Sequence, residues 1–334
     1  MQPTDRIGDA LPLTHVPPPS SASLPLALRV RVWLKLAQWL QAVGVYPTMD
    51  AMGTVPTPKR AASKPPRWLT RPLPADVTIA DLPSAANGPP ASLRVYRPVD
   101  ITERSPLVLF MHGGGFVTGG LDAMQFLCAQ VASTAPALVV SVSYPLAPEH
   151  PYPAALNTGY AALGWVSEHA GELGGDPNRL IVMGDSAGGN LAAALCLLTR
   201  RNGGPRIEGQ VLIYPALDAT LSTAAMRRAG AKRRAECETF YGYYAGDADP
   251  SDELVSPLLA DDLSELPPAT IITAEHDSLR DDGLLYAMRI ERAGVPVRYT
   301  NYLGMPHGFL SMPRICTAAP QAIEEIARAV SGLG

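Results

Sequence analysis

The chain has 334 residues, a formal net charge of -4, 47% hydrophobic and 17% charged residues. That balance suits one large single-core domain or two smaller ones and excludes a disordered chain or a solenoid of charged helices. The acidic total offers no field to gather nucleic-acid phosphates or an anionic membrane, and no run of ~18 apolar residues is present to span a bilayer.

Met1 to Ser20 carries Asp5, Asp9 and the Pro17-Pro18-Pro19 run and lacks the basic start and continuous apolar stretch of an export signal. Cys128, Cys196, Cys237 and Cys316 stand far apart, in neither metal-ligand nor disulfide-scaffold spacing. Reduced thiols and a cytoplasmic location are expected.

Residues 24–44 place Arg31, Lys35, Gln38 and Gln41 on one arc and Trp33, Leu36, Leu40 and Val43 opposite, predicting an amphipathic helix. It either packs on its own domain or serves as a lid over a pocket or against lipid. The prolines between Thr48 and Pro74 forbid a helix interior or central strand and predict an extended connector. Residues 1–74 are therefore expected to form a cap helix and connector, and residues 75–334 the main domain.

Two alternating segments, 76–81 and 92–98, predict an antiparallel edge pair. Then come apolar runs at 106–112, 137–144, 179–185, 209–215, 269–275 and 297–302, separated by helical stretches such as 154–170, 187–200 and 279–293. This alternation predicts an α/β fold: one doubly wound, mostly parallel sheet of about eight strands with helices on both faces. Between the fourth and fifth runs, Ser222 to Ser256 reads as a helical insertion, part of a cap expected at about 218–256.

Ligands of parallel α/β sheets bind outside the carboxyl ends of the strands. There the run RLIVM leads into Gly184-Asp185-Ser186-Ala187-Gly188-Gly189 and an Ala/Leu-rich helix. A G-x-S-x-G at a strand-to-helix junction aims a serine into the crevice, making Ser186 the candidate nucleophile. His112-Gly113-Gly114-Gly115-Phe116 ends the first long run. The N–H groups of Gly113 and Gly114, with that of Ala187 at the helix start, are the expected oxyanion donors, and His112 is expected to scaffold this loop.

A serine hydroxyl needs a base, and the chain order expected is serine, acid, histidine. Only His276 and His307 follow Ser186. His307, in the loop after the last predicted strand, is the preferred base. Asp277 follows strand 269–275 and is the preferred acid, with Asp218, after 209–215, as its rival. Asp281 and Asp282 are read as first-turn complements to a helix dipole, and the basic run Arg227 to Arg234 as a solvated helix face. No metal-ligand spacing or dinucleotide fingerprint is present, so the chemistry is expected to need no cofactor.

The stretches HGGGF (112–116), YPLAPEHPYPAAL (144–156), GDSAGGN (184–190), LPPATIITAEHDSLRDDG (266–283) and GMPHGF (304–309), together with AGDAD and SPL, resemble the bacterial hormone-sensitive-lipase-like esterases of the α/β-hydrolase fold. The resemblance covers roughly residues 75–330. It implies a serine carboxylesterase for short or medium acyl chains, with Ser186 as nucleophile, Asp277 as acid, His307 as base, the glycines after His112 as oxyanion donors and a helical cap over the acyl pocket. The acid motif departs from the family, which more often has an aromatic before the Asp and a proline after it; here these are His276 and Ser278. The partner expected is a small-molecule ester, with no nucleic acid and no integral membrane segment, and a homodimer is left open. An amidase or peptidase with the same triad and a non-catalytic small-molecule binder on the same fold are the alternatives.

Overall fold

Continuous apolar runs can be strands only where both faces of a sheet are covered, because successive side chains point to opposite sides. In the computed structural model, which describes residues 14–16, 30–32, 35, 69–86, 88 and 90–332, that is how they fold. The strands are β1 (Thr14–Val16), β2 (Val77–Leu82), β3 (Leu93–Pro98), β4 (Pro106–Met111), β5 (Leu138–Val142), β6 (Asp176–Asp185), β7 (Gly209–Ile213), β8 (Ala269–His276) and β9 (Val297–Pro306). They form one sheet in the order β1-β9-β8-β7-β6-β4-β5-β3-β2. Pairing is parallel from β1 to β5 across the sheet and antiparallel for β3 with β5 and β2 with β3.

The helices are α1 (Gln125–Thr134), α2 (Ala154–Glu168), α3 (Ala170–Leu173), α4 (Ala187–Asn202), α5 (Ala224–Arg228), α6 (Ala231–Ala245), α7 (Arg280–Arg292) and α8 (Ala319–Gly332). Alternate residues of the central strands feed two separate cores. Leu107, Leu109 and Met111 of β4 join Leu156 and Leu163 of α2 and Leu191 and Leu195 of α4. Val108 and Phe110 join Leu127 and Val131 of α1 and Ile323 and Ile326 of α8.

The eight expected strands are β2 to β9, with ends shifted by a few residues, and the edge pair is antiparallel as expected. The alternation in the sequence does not single out helices α1, α3 and α8 or strand β1. For β1 the reason is physical: a three-residue strand has no period to detect, and its parallel pairing with Thr300 to Tyr302 of β9 is a long-range event. Of the amphipathic segment 24–44, Val30 to Val32 and Lys35 are helical, with Val30 buried and Arg31 and Lys35 exposed. The rest of that segment and most of the proline connector lie outside the described residues. Among the described residues no helix is long and apolar enough to cross a membrane.

Phe110, fully buried in the α1–α8 core, should cost about 3–5 kcal/mol when replaced by alanine. The expected result is a clear fall in the urea midpoint of Phe110→Ala, measured by circular dichroism.

Candidate active site

Strand β6 ends at Asp185 and helix α4 begins at Ala187, so Ser186 alone must reverse the chain. It does so at φ 55° and ψ -119°, a left-handed region that costs a non-glycine residue about 1–3 kcal/mol. Neighbouring chain holds it there. The Ser186 N–H donates to Ile213 O at 2.9 Å, its carbonyl accepts from Ala216 N–H at 3.2 Å, and Asn190 Nδ2 on the first turn of α4 donates to Ala216 O (2.8 Å) and Val255 O (2.9 Å). The strained dihedral thus belongs to the serine itself. The flanking glycines serve close approach: a Cβ on Gly184 would collide with Gly188 O, and one on Gly188 with Met111 O.

His307 follows β9 directly, and its Nε2 lies 2.9 Å from Ser186 Oγ. Its Nδ1 lies 2.7 Å from Oδ2 of Asp277, the residue after β8. The Asp277 carboxylate can only accept, so Nδ1 carries the proton and the Nε2 lone pair faces the serine hydroxyl. Asp277 Oδ1 accepts from Leu279 N–H at 2.9 Å, which fixes the second oxygen. The Asp277 side chain is 0% exposed and that of His307 29%: the carboxylate is sealed and the imidazole is partly open. The Tyr214 ring packs edge-on against the imidazole at 5.0 Å. The structure therefore brings Ser186, His307 and Asp277 into one hydrogen-bonded chain.

Asp218, the rival acid, is elsewhere engaged. Its carboxylate accepts from the N–H and Oγ of Ser222 and from the N–H of Thr220, organising its own turn.

The glycine loop requires a correction. The Gly113 N–H donates to Asp185 Oδ1 at 2.7 Å, so it is not free to receive an oxyanion. Among the described residues no acceptor is recorded for the N–H groups of Gly114, Gly115 and Ala187; for Ala187 this follows from its place in the first turn of a helix. Of the expected donors Gly113, Gly114 and Ala187, the first is therefore already engaged, and the N–H of Gly115 is free beside the other two. His112 is a scaffold, as expected. It is buried, stacks on Tyr144 at 4.1 Å, donates from Nδ1 to Gly113 O at 2.8 Å, and burial pushes its pKa down to about 4, keeping it neutral.

The helices inserted between β7 and β8 meet this site. The Phe240 ring of α6 lies against the backbone of Gly115, where a Cβ would stand 2.9 Å from it, and Tyr244 stacks on Phe116 at 3.6 Å. Asp281 and Asp282 do stand in the first turn of α7, and both also reach outward: Asp281 accepts from Ala225 N–H at 2.7 Å and Asp282 from Leu217 N–H at 3.0 Å. The basic run is largely paired, with Arg228 on Asp281, Arg233 on Ser278 Oγ and Glu236, and Arg234 on Glu238. Ser278, where the family more often has proline, is thereby tied to α6. Among the described residues no three His, Cys, Asp or Glu side chains group as a metal-ligand set.

Sequence reasoning missed Asp185, Asn190, Tyr214 and Phe240. Only Asp185 and Asn190 carried a signal, as polar residues inside the apolar strand-to-helix junction.

Comparison with known proteins places these features in context. A family model described as the alpha/beta hydrolase fold matches residues 108–311. The chain is 45% identical over 237 residues to the carboxylesterase NlhH of Mycobacterium tuberculosis, covering 69% of this chain and 74% of that protein. It is 41% identical over 261 residues to the esterase LipI of the same organism, covering 75% and 81%. Among solved structures, the Ser161Ala mutant of LAE6, an alpha/beta hydrolase enzyme from the metagenome of Lake Arreo, Spain, is similar with a TM-score of 0.79 and 33% identity, covering 92% of this chain and 98% of the other.

Asn190→Leu should leave the carbonyls of Ala216 and Val255 buried without a donor, at about 1–3 kcal/mol each. A lowered melting temperature together with lowered turnover is the expected outcome, measured by thermal denaturation beside an ester assay.

Proposed function

Belonging as it does to the hormone-sensitive-lipase-like esterases of the alpha/beta hydrolase fold, the chain is a serine carboxylesterase, and we propose that it cleaves esters of short to medium acyl chains through Ser186, His307 and Asp277. The observation that carries this reading is the unbroken contact from Asp277 through His307 to Ser186 Oγ beside three free backbone N–H groups.

In the proposed reaction Ser186 Oγ attacks the ester carbonyl while its proton passes to His307 Nε2. The charge growing on the carbonyl oxygen is received by the N–H groups of Ala187, Gly114 and Gly115, aided by the positive end of α4. Asp277 holds the tautomer and stabilises the imidazolium. The alcohol leaves with the proton from Nε2, and an acyl group remains on Ser186. His307 then deprotonates a water molecule that attacks the acyl-enzyme, and a second passage through the same donors frees the carboxylic acid and restores the serine.

Residues 218–256 serve as the cap, and the contact of Phe240 with Gly115 puts an apolar ring beside the reacting carbonyl. Four free, buried thiols suit a reducing cytoplasm.

Ser186→Ala should abolish hydrolysis of nitrophenyl esters with an unchanged circular dichroism spectrum, and should lose labelling by a fluorophosphonate probe. Retained turnover in pure protein sinks the assignment. Asp277→Asn should reduce kcat on the order of 10⁴-fold, whereas Asp218→Asn should act through stability; the reverse pattern reassigns the acid. A nitrophenyl ester series of graded length, run beside the matching anilides, should show fastest turnover at short to medium acyl chains and little on anilides.

A further inference from the structure

Asp185 is a buried carboxylate that the proposed reaction does not use, next in sequence to the nucleophile. Its position is unusual for an anion: the last residue of a central strand, facing the glycine loop. Oδ1 accepts the Gly113 N–H at 2.7 Å, and a Cβ on Gly113 would stand 2.5 Å from Oδ2, so both oxygens face the first glycine of that loop. Gly113 is also held from the other side, its carbonyl accepting from His112 Nδ1. The two glycines that follow carry the free N–H groups.

We propose that Asp185 is a positioning residue of the reaction, its anionic carboxylate anchoring Gly113 so that the N–H groups of Gly114 and Gly115 stay aimed at the developing oxyanion. The proposal rests on the esterase reading of Ser186 and goes beyond it by tying the oxyanion donors to the protonation of a second carboxylate.

The physics favours a charged anchor. A hydrogen bond to a carboxylate is shorter and roughly twice as strong as one to a neutral acceptor, and a loop of three glycines has much conformational freedom to lose. Among the described residues, the titratable groups that interact electrostatically with Asp185 are Tyr144, Tyr214 just after β7, Cys128 of α1 and His307. Burial holds the first three in their neutral forms. Of the four, His307 is the one that can become positive, and its charge favours the Asp185 anion. The anion is thus best supported while the imidazolium exists, which is when the oxyanion forms.

Burial, opposed by the Gly113 N–H and by His307, leaves the Asp185 pKa raised to about 6. A carboxylate raised above its unfolded value binds its proton more tightly when folded, so its contribution to stability falls as pH rises from about 4 through about 6. At pH 8 the anion is therefore a cost to the fold. Removing the charge should then help stability while harming turnover, a split that a purely structural residue does not produce.

The test compares Asp185→Asn, which keeps an acceptor oxygen, and Asp185→Ala with wild type on a nitrophenyl ester. It also measures inhibition by a trifluoromethyl ketone, whose tetrahedral adduct carries the oxyanion. Asp185→Asn should lower kcat roughly 10-fold at pH 8 with KM within about 3-fold, and raise the ketone Ki by a matching factor. Its melting temperature should be no lower than that of wild type. Asp185→Ala should lose on the order of 10² in kcat, within the range for removing one oxyanion donor. The acid limb of kcat/KM should require two deprotonations in wild type and one in Asp185→Asn. Wild-type kcat and ketone Ki in Asp185→Asn overturn the proposal, as does a loss of kcat matched by a fall in melting temperature at pH 8. If wild type hydrolyses no ester and Ser186 takes no fluorophosphonate, the esterase reading fails first and the role of Asp185 falls with it.

Discussion

Ser186 stands in a backbone conformation that an L-residue adopts only under compulsion, and much of the surrounding structure supplies that compulsion. The turn is closed from β7 by Ile213 and Ala216 and from α4 by Asn190, whose amide also reaches Val255 at the return of the inserted helices. Gly184 and Gly188 let two stretches of backbone approach closer than a side chain permits. Strain of about 1–3 kcal/mol persists only where packing over-determines it, and two cores, one on each sheet face, provide that packing.

The same constraint orders the electrostatics. A serine lifted out of the strand end presents its hydroxyl to His307, and the imidazole is fixed from behind by a fully sealed Asp277. Next to the serine in sequence, a second carboxylate, Asp185, holds Gly113. The two carboxylates have different surroundings. Asp277 faces the imidazole and a backbone N–H, whereas Asp185 accepts a backbone N–H in a site whose burial raises its pKa to about 6. The inserted helices close the arrangement, with Phe240 against Gly115 and Arg233 on the loop that carries Asp277.

Much of this was legible in the chain order. Runs of branched apolar residues become central strands because water is excluded from both faces, and G-x-S-x-G at a strand-to-helix junction has few other uses. His307 and Asp277 are legible as candidates because they stand directly after strands, where the topology brings residues distant in sequence to one edge. Less legible was whatever depends on which partner an N–H meets. Gly113, Gly114 and Gly115 are identical as letters, and only the carboxylate 72 residues away distinguishes the first from the other two. The pairings of Arg228 with Asp281 and of Arg233 with Ser278 were hidden for the same reason, since these acceptors lie on a different element.

By itself, then, the order of residues determined the strands, the sheet class, the elbow and the identity of nucleophile, acid and base as candidates, because periodicity, glycine spacing and strand ends are local properties. The tertiary structure decided which backbone donors stay free, which of Asp277 and Asp218 meets the imidazole, and what the inserted helices touch. Those outcomes depend on distances between segments far apart in the chain, and a hydrogen-bonding group can be assigned only when its neighbours in space are known.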